Sequence, residues 1–446
     1  MEAIHLSFMR VRLSLPKLSC LGLFLAVEIL APSLSWGQSV AWTRQLGGTG
    51  YDIFWDVSAD NLGNVFAVGQ TSSNLFAPPN ANDALIVKYD SSGNLIAGFQ
   101  DGSSGNAVLV GAAADGTGGV YVSGNTGGTL GLPNTTNGPA VHGHSVSSST
   151  WNWLQQNTYY DQVNGSGGEG SGNIITVGFT SANGNDAAVQ VRNSTGSVVW
   201  QDQFGSPVHD AALGTATDFL GNYFVTGITF GDLDGTQVGQ GDMFLAKYDS
   251  AGSQQWVKQL GTSDQDYGRS VTTDAAGNIY VGGITNGAIG GPNLGSSDNF
   301  LAKYDPSGNL QWTKQYGSAA PEAEPYVVSD GTSTWLASST YGSVAGPNQG
   351  DLDWFVLKLD PAGNVSWSKQ LGSSTGDQAF GIAYALSRVY VVGVSVGNLG
   401  GTHQGDHDAV LIAITPFSSI PEPNSAMLIA SAIAIVAAKR WGRARR

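Results

Sequence analysis

The stretch Trp256-Val257-Lys258-Gln259-Leu260-Gly261 decides the fold, because it recurs. Similar phrases begin at Trp42, Trp312 and Trp367, and a looser one, Trp-Gln-Asp-Gln-Phe-Gly, at Trp200. Two weaker copies fall where the period puts them, at Ala97 and Trp153. The register positions 42, 97, 153, 200, 256, 312 and 367 are separated by 55, 56, 47, 56, 56 and 55 residues. A period of that size marks a chain of repeated supersecondary units, each too small to bury its apolar face alone.

Working outward from Trp256, a loop over Gly261 to Tyr267 leads to a first strand near Arg269–Thr273. Asp274-Ala275-Ala276-Gly277-Asn278 makes a turn, and Ile279–Ile284 is a second strand. A glycine-rich loop runs to Asp298, and Phe300–Tyr304 is a third strand ending in Asp305-Pro306-Ser307-Gly308-Asn309. There the Asp side chain bonds the backbone, Pro fixes φ, and Gly supplies the left-handed residue of a short hairpin. The next Trp phrase is the fourth strand. The second-strand phrase occurs seven times, at Val65–Gly69, Val120–Gly124, Ile174–Gly178, Tyr223–Gly227, Ile279–Gly283, Thr334–Ser338 and Arg388–Gly393. Four strands repeated seven times predict an all-β chain, a seven-bladed β-propeller of four-stranded antiparallel blades over residues 38–416. The last unit stops at its third strand, Asp408–Thr415, while Ser39–Leu46 is a fourth strand with no unit before it. The N-terminal strand therefore closes the last blade and removes a sheet edge.

The order Trp…Gln-Leu-Gly, then Asp-x-x-Gly-Asn-x-Tyr-Val-x-Gly, then Asp-x-Phe-Leu-x-Lys-Tyr-Asp-x-x-Gly resembles the SBBP repeat family of bacterial β-propeller repeats. The resemblance spans residues 40–415. It departs between Ala97 and Val199, where Lys-Tyr-Asp is missing, and in the sixth unit, where Asp330-Gly331-Thr332-Ser333-Thr334 replaces the Gly-Asn turn. It implies a propeller and no defined activity.

The two ends differ from the middle. Residues 1–37 carry Arg10, Arg12 and Lys17, an apolar run from Leu18 to Leu30, and small residues around Ser35-Trp36-Gly37, the order of a secretory signal peptide cut after Gly37. Residues 417–446 carry Pro421, Glu422 and Pro423, an apolar run from Ala426 to Ala438, and a basic end with Arg440, Arg443, Arg445 and Arg446. The apolar run is short for a stable span, and the basic end would stay cytoplasmic. This tail resembles the PEP-CTERM sorting signals of Gram-negative bacteria. The resemblance implies an exosortase-type processing enzyme as partner. It also implies transient membrane contact through a short transmembrane helix, followed by release or attachment at the cell surface or extracellular matrix. The single cysteine, Cys20, lies in the segment expected to be removed, so the mature chain would have no disulfide.

The formal net charge is −15, and the ends contribute +1 (1–37) and +5 (424–446), which leaves the middle at −21. That balance speaks against a basic nucleic-acid surface and for cations, cationic surfaces or neutral glycans.

Tight turns join strands one to two and three to four on one face of the ring. The variable loops, such as Asn125–Val141, lie on the other face, which is the candidate interaction surface. Those loops carry acidic pairs: Asp232 and Asp234 with Asp242, Asp264 with Asp266, Asp351 with Asp353, and Asp406 with Asp408. Carboxylates alternating in glycine-rich loops are oxygen ligands of the kind Ca²⁺ takes, so Asp232, Asp234, Asp242, Asp264 and Asp266 form a candidate calcium set. The same residues would equally serve as turn caps, with no cofactor. His403 with His407, and His142 with His144, read as exposed loop histidines. Trp200, Trp256, Trp312 and Trp367 read as packing along or between blades, while Trp151, Trp153, Tyr159 and Tyr160 are the aromatic candidates for stacking on sugar. Gly-x-Ser-x-Gly occurs at Gly372–Gly376 and Gly393–Gly397, but neither leads into the helix that a nucleophile elbow requires.

No catalytic constellation emerges. The expected function is an exported, non-enzymatic propeller that binds polysaccharide or another envelope or extracellular component through its variable face. The alternative is an extracellular polysaccharide lyase or hydrolase with an axial, calcium-assisted site.

Overall fold

A computed structural model describes residues 38–415 apart from 80, 103–104, 129, 131–139, 146–149, 169–171, 182–183 and 236–237. The signal-peptide reading of 1–37 and the sorting residues Pro421, Glu422, Pro423, Arg440, Arg443, Arg445 and Arg446 lie outside the described residues. No helix among the described residues is long and apolar enough to cross a membrane.

The described residues form seven four-stranded antiparallel sheets. Blade one is β2 (Asp52–Ala59), β3 (Asn64–Thr71), β4 (Asp83–Asp90) and β5 (Leu95–Asp101). Blade two is β6 (Ala107–Ala114), β7 (Val120–Thr126), β8 (Ala140–Ser145) and β9 (Trp153–Asn157). Blade three is β10 (Gln162–Gly168), β11 (Ile174–Thr180), β12 (Asp186–Arg192) and β13 (Val198–Phe204). Blade four is β14 (Asp210–Thr217), β15 (Tyr223–Thr229), β16 (Asp242–Tyr248) and β17 (Gln254–Leu260). Blade five is β18 (Asp266–Thr273), β19 (Ile279–Thr285), β20 (Asp298–Tyr304) and β21 (Leu310–Tyr316). Blade six is β22 (Tyr326–Ser329), β23 (Thr334–Thr340), β24 (Asp353–Leu359) and β25 (Val365–Leu371). Blade seven is β26 (Asp377–Ala385), β27 (Arg388–Ser395), β28 (Asp408–Thr415) and, from the other end of the chain, β1 (Ser39–Leu46). Ring closure is as expected, with Trp42 opposite Ala413 and Leu46 opposite Ala409. The weak register positions also hold, since Ala97 faces Lys88 and Trp153 faces His144 as Trp312 faces Lys303.

Burial explains the repeat. The second and third strands of each blade are buried on both faces, as in β15 and β19, so they read as near-continuous apolar runs. The fourth strands are outermost and begin exposed. The cores are shared between blades: Val177 and Val189 of blade three pack with Tyr223, Val225 and Phe244 of blade four.

Two parts of the Trp phrase do separate work. Its Trp staples one blade to the next. The rings of Trp42, Trp153, Trp200, Trp256 and Trp312 lie 2.5–3.0 Å from where a Cβ would stand on Gly93, Gly196, Gly252, Gly308 and Gly363. Those glycines have φ of +78 to +85°, so both the turn and the stacked indole exclude a side chain. Its Gln holds a variable loop. Gln45, Gln100, Gln203, Gln259, Gln315 and Gln370 donate from Nε2 to the aspartate that opens the third strand, respectively Asp408, Asp83, Asp186, Asp242, Asp298 and Asp353, at 2.7–3.0 Å. In blade two, where Ala140 takes that place, Gln156 donates to the Gly128 carbonyl at 2.8 Å.

Candidate functional site

The first strands β2, β6, β10, β14, β18, β22 and β26 contact one another in a closed cycle and so surround the axis. In six of them one extra residue stands opposite the second strand: Trp55, Val110, Asn164, Leu213, Arg269 and Phe380. Such a β-bulge turns the extra side chain out of the pleat, and all six line the axial channel. The second-strand glycine makes the bulge possible. A Cβ on Gly69, Gly124, Gly178, Gly227, Gly283 or Gly393 would stand 1.9–2.1 Å from a carbonyl oxygen of the first strand. Blade six has Ser338 there, and its pairing is regular. The glycine that ends each second-strand phrase was therefore the signal for the axial residues, and sequence reading missed them.

The channel has three parts. At the variable-loop end is a cup of about 400 Å³, lined by Trp55, Gln70, Gln162, Asn164, Arg269 and Glu324 over Val108, Val110 and Leu213. A neck of about 70 Å³ runs past Asp56 and Ser166. The far mouth, about 360 Å³, has walls of mostly small residues such as Ser58, Ala59, Ala112, Gly167 and Thr215.

In the cup, Arg269 donates from Nε to Glu324 Oε2 at 2.7 Å and from Nη1 to the Leu213 carbonyl at 2.8 Å, and lies 4.8 Å over the Tyr326 ring. Trp55 rests on Phe380 with centroids 4.3 Å apart, and its Nε1 has no partner. Gln162 donates to Asn164 Oδ1 at 3.0 Å, and Asn164 to the Ala212 carbonyl at 2.9 Å. The cup thus offers an indole, amides and a neutralised charge pair, a combination that suits polar ligands with apolar faces.

Asp56 and Glu324 are the carboxylates of this lining. Asp56 accepts the Val57 and Ala112 amides, each at 2.8 Å, so it pins blade one to blade two. Burial deep in the ring pushes its pKa up to about 7, against those two bonds and the Arg269 charge. The residue is half-buried on the channel wall, so channel water works against that push. A ¹³C titration of the Asp56 carboxyl is expected to show a midpoint above the ordinary carboxylate range and no higher than about 7, and a midpoint in the ordinary range would mean that water reaches it freely.

The sequence-derived candidates fall elsewhere. Asp242 and Asp266 are buried. Asp242 accepts Gln259 Nε2 and the Val238 amide, each at 2.9 Å, and Asp266 accepts the Thr262 amide at 2.6 Å and its hydroxyl at 2.8 Å. Asp234 accepts the Gln259 amide at 2.9 Å, Asp232 accepts the Gly235 amide, and the Asp264 amide donates to Thr262 Oγ1 at 3.2 Å. Among the described residues no three acidic or histidine side chains gather as a metal set.

The histidine and aromatic expectations need correction. His142 and His144 are buried on β8, the third strand of blade two, and not in a loop. His144 binds Asp115 at 2.9 Å and stacks on Tyr121, standing where Lys303 covers Tyr280 in blade five. Burial, aided by Arg192, pushes His142 down to about 3, so it is neutral. His407 is half-buried against Tyr51, and His403 lies 3.4 Å from Asp408. Tyr160 is fully buried, Trp151 packs edge-on against Phe99, Trp153 donates to the Ser194 carbonyl at 2.9 Å, and Tyr159 to that of Asp202 at 2.6 Å. Tyr160 is thus closed to sugar, while Trp151, Trp153 and Tyr159 are half-buried in packing between strands and blades. Trp55 and Phe380, from the bulges, and Tyr326 are aromatics that do line the axial channel.

Two stretches, 41–77 and 255–291, match the SBBP beta-propeller repeat family. Both begin at a Trp phrase and run through the first two strands of the following blade. The regulatory protein FlaEY of Caulobacter vibrioides is 29% identical over 180 residues, 36% of this chain, and the match spans 19% of the length of that relative. Among solved structures, the WD40 repeats of RRP9 are similar at a TM-score of 0.48 with 11% identity, covering 84% of this chain and 99% of that one. The β-propeller domain of the Trilobed protease from Pyrococcus furiosus gives 0.47 with 7% identity, covering 85% and 98%.

Proposed function

We propose that this protein is an exported, non-enzymatic propeller that binds polysaccharide or another envelope component at the axial cup on its variable-loop face. The observation that carries the reading is the cup lining: a bulge-presented Trp55, the amides of Gln70, Gln162 and Asn164, and the Arg269–Glu324 pair, on apolar walls. Amide and ion-pair groups beside an indole suit the hydroxyls and apolar faces of a sugar ring. In the cup the one carboxylate, Glu324, is engaged by Arg269, while Asp56 lies below in the neck pinned by two amides, which favours binding over acid–base chemistry at the cup. Export rests on the signal-like residues 1–37. Surface sorting by an exosortase-type enzyme rests on Pro421-Glu422-Pro423 and the basic end.

Trp55→Ala and Gln70→Ala are expected to weaken retention on an immobilised extracellular-polysaccharide panel at least about tenfold, with thermal unfolding as the control for folding. Equal retention by both variants would remove the cup from the function. Mass spectrometry of the secreted protein is expected to show a chain that starts at Gln38 and lacks the basic end.

A further inference from the structure

The aspartate that opens a third strand faces the acidic residue that opens the next blade. The pairs are Asp186 with Asp210, Asp242 with Asp266, Asp298 with Glu322 and Asp353 with Asp377. The geometry is sharpest between blades five and six. Asp298 is 0% and Glu322 5% exposed. Asp298 Oδ2 accepts Gln315 Nε2 and the Leu294 amide, each at 2.7 Å. Glu322 Oε1 accepts the Ser318 hydroxyl at 2.7 Å and the Thr340 hydroxyl at 2.8 Å. The remaining oxygens, Asp298 Oδ1 and Glu322 Oε2, have no donor. Both point into the space beside Gly317, lying 2.1 and 2.7 Å from the point where a Cβ on that residue would stand.

Two buried acceptors aimed at one space repel when both are ionised, and each lacks a hydrogen-bond donor. One proton resolves both problems, since it removes a charge and converts one carboxyl into a donor to the other. We propose that the Asp298–Glu322 pair holds a single proton between its facing oxygens at neutral pH, so that the junction of blades five and six is an acid-stabilised latch.

The surroundings agree. The groups packed on Glu322 are Asp298 and Ser297 from blade five, Thr340 from blade six and Ser318 from its own loop, and none is basic. Burial, against the Ser318 and Thr340 hydroxyls and the Ser318 amide and with a smaller push from the Asp298 charge, leaves Glu322 at about 7, up from 4.5. Among the described residues no third acidic or histidine side chain joins the pair to complete a metal shell. Asp377, facing Asp353, is likewise pushed up, mainly by burial, at the next junction.

A raised folded-state pKa means that the folded chain keeps a proton the unfolded chain gives up. The contribution is fully present below 4.5 and is lost as the pH rises through about 7. The test is urea unfolding of the full chain between about pH 4.5 and pH 8, with chelator or Ca²⁺ as separate arms, beside Glu322→Gln. The wild type is expected to lose up to roughly 100-fold in its folding constant across that range. Glu322→Gln, whose amide donates to Asp298 at every pH, is expected to lose about one proton's worth of that slope. The infrared C=O band of a neutral carboxylic acid should persist in the wild type at pH 6 and weaken in the variant. An unchanged slope in Glu322→Gln, absence of that band in the wild type, or recovery of acid-like stability at pH 8 on adding Ca²⁺ would each overturn the shared proton. Because Asp56 and Asp377 also add neutral-acid bands to the wild type, the pair is read from the band lost on substitution, and Asp298→Asn, which should lose the same band and slope from the other side, decides the matter if Glu322→Gln does not fold.

Discussion

A chain beginning at Gly47 is expected to lose at least about 5 kcal/mol of stability and to aggregate, because it lacks the strand that closes the ring. Without β1, β28 loses partners from Ala409 to Thr415 and becomes a bare edge whose side chains at Val410, Leu411, Ile412 and Ile414 are at most 1% exposed in the intact protein. Trp42 leaves its place over the blade-one hairpin, where its Nε1 donates to the Ser91 carbonyl at 3.1 Å. Gln45 no longer donates to the buried Asp408, which keeps only a loop amide and His403. These losses fall on one blade and its neighbour, so they act together. Thermal unfolding and size-exclusion chromatography check the expectation, and a synthetic Ser39–Leu46 peptide added in trans should recover part of the loss. A melting temperature equal to that of the intact chain would mean that blade seven closes without β1. The first described residue, Gln38, immediately precedes β1, so cleavage after Gly37 would leave the closing strand whole.

The second large effect is expected at Gly261→Ala, a substitution that looks mild. The added Cβ would stand 2.2 Å from Asp242 Oδ1 and 2.6 Å from its Cγ. Asp242 cannot step aside cheaply, since Gln259 Nε2 and the Val238 amide hold Oδ2 at 2.9 Å and the Gly239 amide approaches Oδ1 at 3.2 Å. Moving it strands a buried carboxylate and frees the loop that precedes β16, a loss of about 3–5 kcal/mol. Denaturant unfolding measures it. In a double-mutant cycle, Asp242→Ala should cost less in the Gly261→Ala background than alone, because the clash disappears with the carboxylate. Strict additivity would assign the damage to the backbone and not to Asp242.

Much of the ring was legible from Trp256–Gly261 and its copies, for a local reason. Trp, Gln and Gly each answer a short-range demand that repeats in every blade. The indole needs a bare glycine beneath it, the amide needs an aspartate opposite, and the tight hairpin needs a left-handed residue. Diverged copies stayed readable because the spacing survived: Ala97 and Trp153 occupy the same rung as Trp312. The histidines of β8 misled because Val-His-Gly-His carries none of the Phe-Leu-x-Lys pattern of other third strands, although pairing with β7 buries it all the same.

The candidate site was far less legible. The six bulge residues, Trp55, Val110, Asn164, Leu213, Arg269 and Phe380, share no chemistry, so no side-chain pattern marks them. Only the glycine one strand away does. The acidic loop residues drew attention because they recur, and the structure buries Asp242 and Asp266 where they hold loop amides.

The sequence by itself determined the number of blades, their four-strand order and the strand that closes the ring, since these follow from period, turn chemistry and the burial of the second and third strands. Only the tertiary structure decided what meets at the axis and across the junctions. There the partners come from different blades, Trp55 with Phe380 and Arg269 with Leu213 at the axis and Asp298 with Glu322 at a junction, brought together by the packing of blades around the ring. Local sequence sets how each blade folds; the circle sets which side chains share a space, and so which protons and ligands that space will hold.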